Sequence, residues 1–234
     1  MRGIVSCLSL QSQQSSSNSS LLAAGTWTRW IGLYDAGGLG GTVANWSVAS
    51  AADSSAKISG AGVSQTLWSP CGRYLFVVER KSRGVLIYDI RVTGRLVGWL
   101  EGRAAETNQR LGVDVFGVSR GDTEGANETE IWAGGVDGVV RVWKWKGVGD
   151  EGDIEVGLTP EKEWQAHESA VSGVGMHPSG TVVATISGQR QEIGDFEEES
   201  DSDSDNNSET SKTSSQNAKR RGKPPDNSIK IWSI

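Results

Sequence analysis

A chain of 234 residues with 31 glycines and 10 tryptophans, but only three tyrosines and three phenylalanines, is built of many short strands and tight turns rather than long helices. Its two cysteines, Cys7 and Cys71, share no CxxC-like spacing, so neither a zinc site nor a disulfide framework is indicated, which fits a reducing compartment. The net charge of −6 is concentrated in residues 191–225, with nine acids and five bases, which leaves a near-balanced 20 acids and 18 bases elsewhere. No apolar run approaches the roughly 20 residues of a membrane helix. The run 4–10 is broken by Ser6 and Ser9 and leads into a Gln/Ser tract, so it reads as a strand and not as a signal peptide.

From this first strand the chain resolves into four units at a period of about 40 to 60 residues. The first unit, 4–48, has predicted strands at 4–10, 21–27, 30–34 and 41–48. The second, 62–100, has them at 62–68, 74–79, 85–90 and 95–100, with Ser69-Pro70-Cys71-Gly72 turning between the first two. The third, 110–165, opens at 110–116 and passes through a hairpin whose two β-type runs flank Asp137-Gly138 and close on Trp143. Its outer strand falls near 161–165. The fourth, 170–234, has strands at 170–176, 181–187 and 228–234, with the turn His177-Pro178-Ser179-Gly180 between the first two. Asp226 precedes Trp232 by the same six residues that separate Asp137 from Trp143. A recurring four-stranded unit of this kind is a blade, labelled a to d from inside to outside, and the fold class is an all-β, WD-repeat β-propeller.

The count is fifteen predicted strands in about four blades, with no outer strand for the last. Propellers close with about four to eight blades, and closure hides sheet edges. The expectation is an incomplete ring: part of a longer chain, or a half that associates with itself. The polar stretch 191–225 falls between strands b and c of the last blade and is too poor in apolar residues to offset the entropy of ordering it, so it reads as a disordered insert. Its acidic half, with Ser200 to Asp205, suits acid-directed kinases. Its basic half, with Lys219, Arg220, Arg221 and Lys223, is a short cluster that suits nuclear import or RNA phosphates. Loops 11–20 and 121–127 are of the same polar kind.

His167, Ser187 and Asp226 contain the elements of a nucleophilic triad, but no nucleophile turn or oxyanion loop accompanies them. In a WD-type blade a His ahead of strand a, a Ser or Thr on strand b, an Asp in the b–c turn and a Trp on strand c form a structural hydrogen-bonded set. His167, Ser187, Asp226 and Trp232 take those positions in the fourth blade, and Asp137 and Trp143 take the last two in the third. No metal, phosphate-loop or cofactor motif appears, so no cofactor and no enzymatic activity are expected.

Several strings match one family in order: Gly25-Thr-Trp-Thr-Arg29 with Ile31-Gly-Leu-Tyr-Asp35, then Ser69-Pro-Cys-Gly-Arg-Tyr-Leu75 with Tyr88-Asp-Ile-Arg91. Thr107-Asn108-Gln109-Arg110 with Asp114, His177-Pro178, and Ala184-Thr-Ile-Ser-Gly-Gln-Arg190 complete the series. Over residues 21–234 the chain resembles the C-terminal half of the telomerase Cajal body protein family, WD-repeat proteins to which the fungal nuclear splicing-associated Swt proteins are related. Cys71 replaces the usual Asp of its turn, and Tyr88 stands where many repeats carry Trp. The resemblance implies a nuclear, non-catalytic scaffold in small-RNA ribonucleoprotein biogenesis, whether of Cajal body, telomerase or spliceosomal RNAs. It implies small nuclear RNA or its proteins as partners. The loop ahead of a blade and the b–c turn share one face of the disc, so Asn108, Gln109 and Arg110 should emerge beside Gln189 and Arg190, where guanidinium and amide groups suit phosphate or base edges. The alternative is a peptide-binding adaptor without direct RNA contact. No membrane association is expected.

Overall fold

A computed structural model describes residues 2–11, 20–118, 128–147, 156–188 and 226–234. Among them, sixteen strands form four sheets, each made almost wholly of consecutive chain. The first contains β1 (Val5–Leu10), β2 (Leu21–Thr26), β3 (Trp30–Asp35) and β4 (Thr42–Ser47). The second contains β5 (Val63–Trp68), β6 (Tyr74–Glu79), β7 (Val85–Asp89) and β8 (Arg95–Leu100). The third contains β9 (Val113–Val118), β10 (Glu128–Gly134), β11 (Val139–Trp145) and β13 (Lys162–Gln165), and the fourth β14 (Val171–Met176), β15 (Val182–Ser187) and β16 (Ile229–Ser233). The remaining strand, β12 (Val156–Leu158), leaves the β11–β13 connection and pairs in parallel with β8 as a fifth strand of the second sheet. Fifteen strands were expected from the sequence, and this three-residue strand is the addition; it is too short to show a period of two.

The sheets are the blades of a WD-type propeller that does not close into a ring among the described residues. Period-two alternation explains why they stack. All six residues of β6 are buried: Leu75 and Val77 face a core shared with Ile31 and Leu33 of the first sheet, while Phe76 and Val78 face one shared with Ile131 and Trp143 of the third. β10 divides the same way, with Ile131 and Ala133 toward the second sheet and Trp132 toward Val171, Val183 and Trp232 of the fourth. The two end sheets bury one face each. Ile4, Leu8, Leu10 and Val43 stay exposed on the first, and Ile186, Ile229 and Ile231 on the fourth.

The loops that lead into strand a and those that join b to c lie on one face, because strand a runs away from that face and strand b returns to it. A single π-helical turn, Ala51–Ser55, is on the loop from β4 to β5. Gly138 in the β10–β11 turn must be glycine twice over, since its φ is +77° and a Cβ there would sit 2.1 Å from the His167 carbonyl oxygen. The insert 191–225, with its acidic stretch and the basic Lys219, Arg220, Arg221 and Lys223, lies outside the described residues. The polar loops at 12–19 and 119–127 do as well.

Candidate functional site on the loop face

In the fourth blade, His167 Nδ1 lies 3.2 Å from Asp226 Oδ2, and His167 Nε2 lies 2.8 Å from Thr185 Oγ1, which also accepts the Trp232 Nε1–H at 2.8 Å. Since the indole can only donate, the Thr185 hydroxyl proton is free to point at Nε2. The neutral tautomer with Nδ1–H donating to the carboxylate then satisfies every member of the set. The strand-b hydroxyl in it is Thr185; Ser187, expected there from the sequence, instead donates to the Asp226 backbone carbonyl at 2.6 Å. The physical reason is register: Thr185 lies opposite Lys230 and faces the third sheet beside Val183, which is paired with Trp232. His167 is 1% exposed and Thr185 0%, so the set clamps a turn and offers no hydroxyl to a substrate.

Ser228 Oγ donates to Asp226 Oδ1 and the Glu168 N–H to Oδ2, and together with His167 they lower the Asp226 pKa from an ordinary 3.8 to about 2. A lowered carboxylate pKa contributes stability that is present above the unfolded value and is lost as pH falls through the folded one. Acid titration of folding should therefore show a loss between about pH 4 and pH 2 that Asp226→Asn removes. An unchanged acid limb in the variant would refute this assignment.

The third blade solves the same problem differently. Asp137 is bound by the Arg141 guanidinium at 2.7 and 3.2 Å and caps the Val139 N–H. Ala133 stands where Thr185 stands in the fourth blade, so the Trp143 Nε1–H goes to the Glu101 carbonyl at 2.9 Å. Across the first two blades Arg29, in the β2–β3 turn, takes the Glu79 carboxylate at 2.7 and 3.0 Å and the Asp53 carboxylate at 2.7 and 2.9 Å. Hydrogen bonding to Asp53 holds the Arg29 pKa high, while burial pushes that of Glu79 up against the pull of Arg29. Sequence reasoning missed this clamp. The available signal was Glu79 itself, an acid ending an otherwise apolar and aromatic strand, which needs a cation nearby.

The loop between β8 and β9 is held from both sides. The Lys81 N–H donates to the Thr107 carbonyl at 3.2 Å, Thr107 Oγ1 accepts the Gln109 N–H at 3.1 Å, and Gln109 Nε2 donates to the Gly188 carbonyl at 2.6 Å. Asn108 and Arg110 are exposed. Glu106 is engaged by Arg83 at 2.9 Å and Asp114 accepts the Met176 N–H at 2.7 Å, so both local carboxylates have other partners, and Arg110 has no ion pair among the described residues. Gln189 and Arg190 lie outside the described residues and follow directly on Gly188. Arg103, in the same loop, is 3% exposed; its Nη2 donates to the Leu111 carbonyl at 2.9 Å, and burial lowers its pKa to about 10.

Sheets of this order, with an Asp-His-Thr-Trp set in one blade whose His and Thr are buried, define a WD-repeat β-propeller chain. One chain in the crystal structure of the mitotic checkpoint complex superposes on it with a TM-score of 0.51 over 78% of this chain and 46% of that one, at 16% identity, which is a likeness of fold. Human telomerase Cajal body protein 1 is 30% identical over 190 residues, and the mouse protein 31% over 193; each match covers 80% of this chain. The guanine nucleotide-binding protein negative regulator 1 of Schizosaccharomyces pombe is 32% identical over 151 residues, 64% of this chain. The matches cover 29 to 32% of those relatives, so the chain corresponds to about a third of their length. No protein-family model matches. The chain belongs to the WD-repeat family of telomerase Cajal body protein 1.

Proposed function

We propose that this chain is a non-catalytic scaffold of nuclear small-RNA ribonucleoproteins that holds RNA on the loop face. The observation that carries the reading is the 2.6 Å hydrogen bond from Gln109 to Gly188. It brings Gly188, the residue that precedes Gln189-Arg190 in the chain, to the Thr107–Arg110 loop, which supports reading the two Gln-Arg strings together. Guanidinium groups with neighbouring amides suit bidentate contact with phosphate or base edges. The family supports the nuclear setting and the ribonucleoprotein partner, and the basic cluster at 219–223 suits import.

The test is retention of small nuclear RNA by the purified chain across a salt series. Arg110→Ala combined with Arg190→Ala should weaken binding at every salt concentration and flatten the dependence of log affinity on log salt by about one unit per lost phosphate contact. Equal retention by the double variant removes the site assignment. The near balance of 20 acids and 18 bases outside 191–225 favours a second reading, a peptide-binding adaptor whose RNA association is indirect. Protein partners that remain bound after nuclease treatment, together with absent binding of purified RNA, would select it.

A further inference from the structure

The loop face of the first two blades holds an aromatic side chain that the Gln-Arg strings do not use. Trp27, in the turn between β2 and β3, is 52% exposed, and the Arg80 guanidinium carbon lies 3.2 Å from its ring centroid. The contact is built in: Gly62 has φ +124°, and a Cβ there would come within 2.7 Å of the Trp27 carbonyl oxygen and 3.3 Å of Arg80 Nη2. From Arg80 the chain passes to Lys81, whose N–H is bonded to Thr107, and the Thr107 loop reaches the fourth blade through Gln109. Trp27, Arg80, Lys81 and that loop therefore trace one continuous path over all four blades.

Cations predominate along the path. Among the described residues Lys57, Arg80, Lys81 and Arg110 have no ion pair, whereas Glu79 and Asp53 are taken by Arg29, and Glu106 by Arg83. The four described non-glycine residues with left-handed φ, namely Arg29, Lys57, Ser59 and Lys81, also lie in these loops, at +64°, +55°, +58° and +51°. Backbone strain of this kind persists where the surroundings over-determine it, and it gathers at binding sites.

We propose that Trp27, backed by Arg80, is a stacking platform for an unpaired nucleobase, at one end of a single-stranded RNA path that runs over Lys81 and Arg110. The assignment deepens the RNA reading above and rests on it. Every base presents a π-face, so such a platform is tolerant of sequence and is recognised together with a cationic track for the backbone.

The experiment is fluorescence anisotropy of a labelled ten-nucleotide oligouridylate and oligoadenylate with the whole chain, at two salt concentrations. Trp27→Ala should weaken binding roughly ten-fold or more at both, with the salt slope kept, and Trp27→Phe should restore most of the loss. Lys81→Ala and Arg110→Ala should instead flatten the slope by about one unit each. Wild-type affinity in Trp27→Ala, with losses in the two cation variants, overturns the platform and leaves the RNA reading standing. No binding of either oligonucleotide by the wild type overturns both. A lowered melting temperature in Trp27→Ala that Phe does not correct, with affinity lost in proportion, assigns Trp27 to packing and also overturns the platform.

Discussion

Arg29→Ala should lower the stability of the chain by about 3–5 kcal/mol at neutral pH, because it leaves the Glu79 carboxylate buried and without its cation. Glu79 is 2% exposed and Asp53 is half exposed, so nearly all of the loss belongs to Glu79. Burial already pushes the Glu79 pKa up, and without Arg29 it rises further. A carboxylate raised in the folded state favours folding while it is protonated, and that advantage is lost as pH climbs through its folded pKa. The deficit of the variant relative to wild type should therefore be largest near pH 7 and shrink on acidification toward pH 4. Arg29→Ala with Glu79→Gln should recover much of it at neutral pH, since no charge is then left buried. Chemical denaturation at pH 7 and pH 5 measures all of this, and a pH-independent deficit would show that lost packing, not charge, is responsible.

Trp143→Ala should cost a similar 3–5 kcal/mol, as large aromatic deletions from closed cores do. Trp143 is 0% exposed, packs between the second and third sheets against Ile131 and Phe76, and gives its N–H to the Glu101 carbonyl. Trp232 occupies the equivalent position in the fourth blade, yet it is half-buried and meets Trp164 edge-to-face at 6.1 Å, next to an open sheet edge. Its replacement should cost about half as much or less. Urea midpoints of the two variants decide the matter, and equal losses would mean that the fourth blade is covered in solution by something the isolated chain does not show.

The class of fold was legible because its signals are local. The alternation of apolar residues, Asp137-Gly138 between two strands, and the six-residue step from Asp to Trp each need only a few neighbouring residues. What was not legible depends on register between strands. Ser187 and Thr185 lie on the same face of one strand, and only the pairing of Val183 with Trp232 decides which hydroxyl receives the indole proton. The Arg29 clamp joins residues 24 and 50 positions apart on three separate loops and strands, a distance over which spacing carries no information. The three-residue β12 is held by its partner β8 and by Leu158 in the core between the second and third sheets, not by any propensity of its own. For the candidate site, the sequence named the Thr107–Arg110 and Ser187–Arg190 strings, but Trp27 and Arg80 meet only through a fold in which Gly62 lets two backbones approach.

That small strand has a further consequence for the propeller as a modular object. In repeat proteins each unit contacts only its neighbours, and stability is approximately a sum over the units and the joints between them. Here the outer edge of the second blade is completed by backbone hydrogen bonds from chain that belongs to the third, with the Glu101 N–H also bound to the Leu158 carbonyl. The two blades are laced, not merely stacked. A cut between them would strip an edge strand from the second blade and leave a stray strand on the third, so the pair, not the single blade, is the structural unit here.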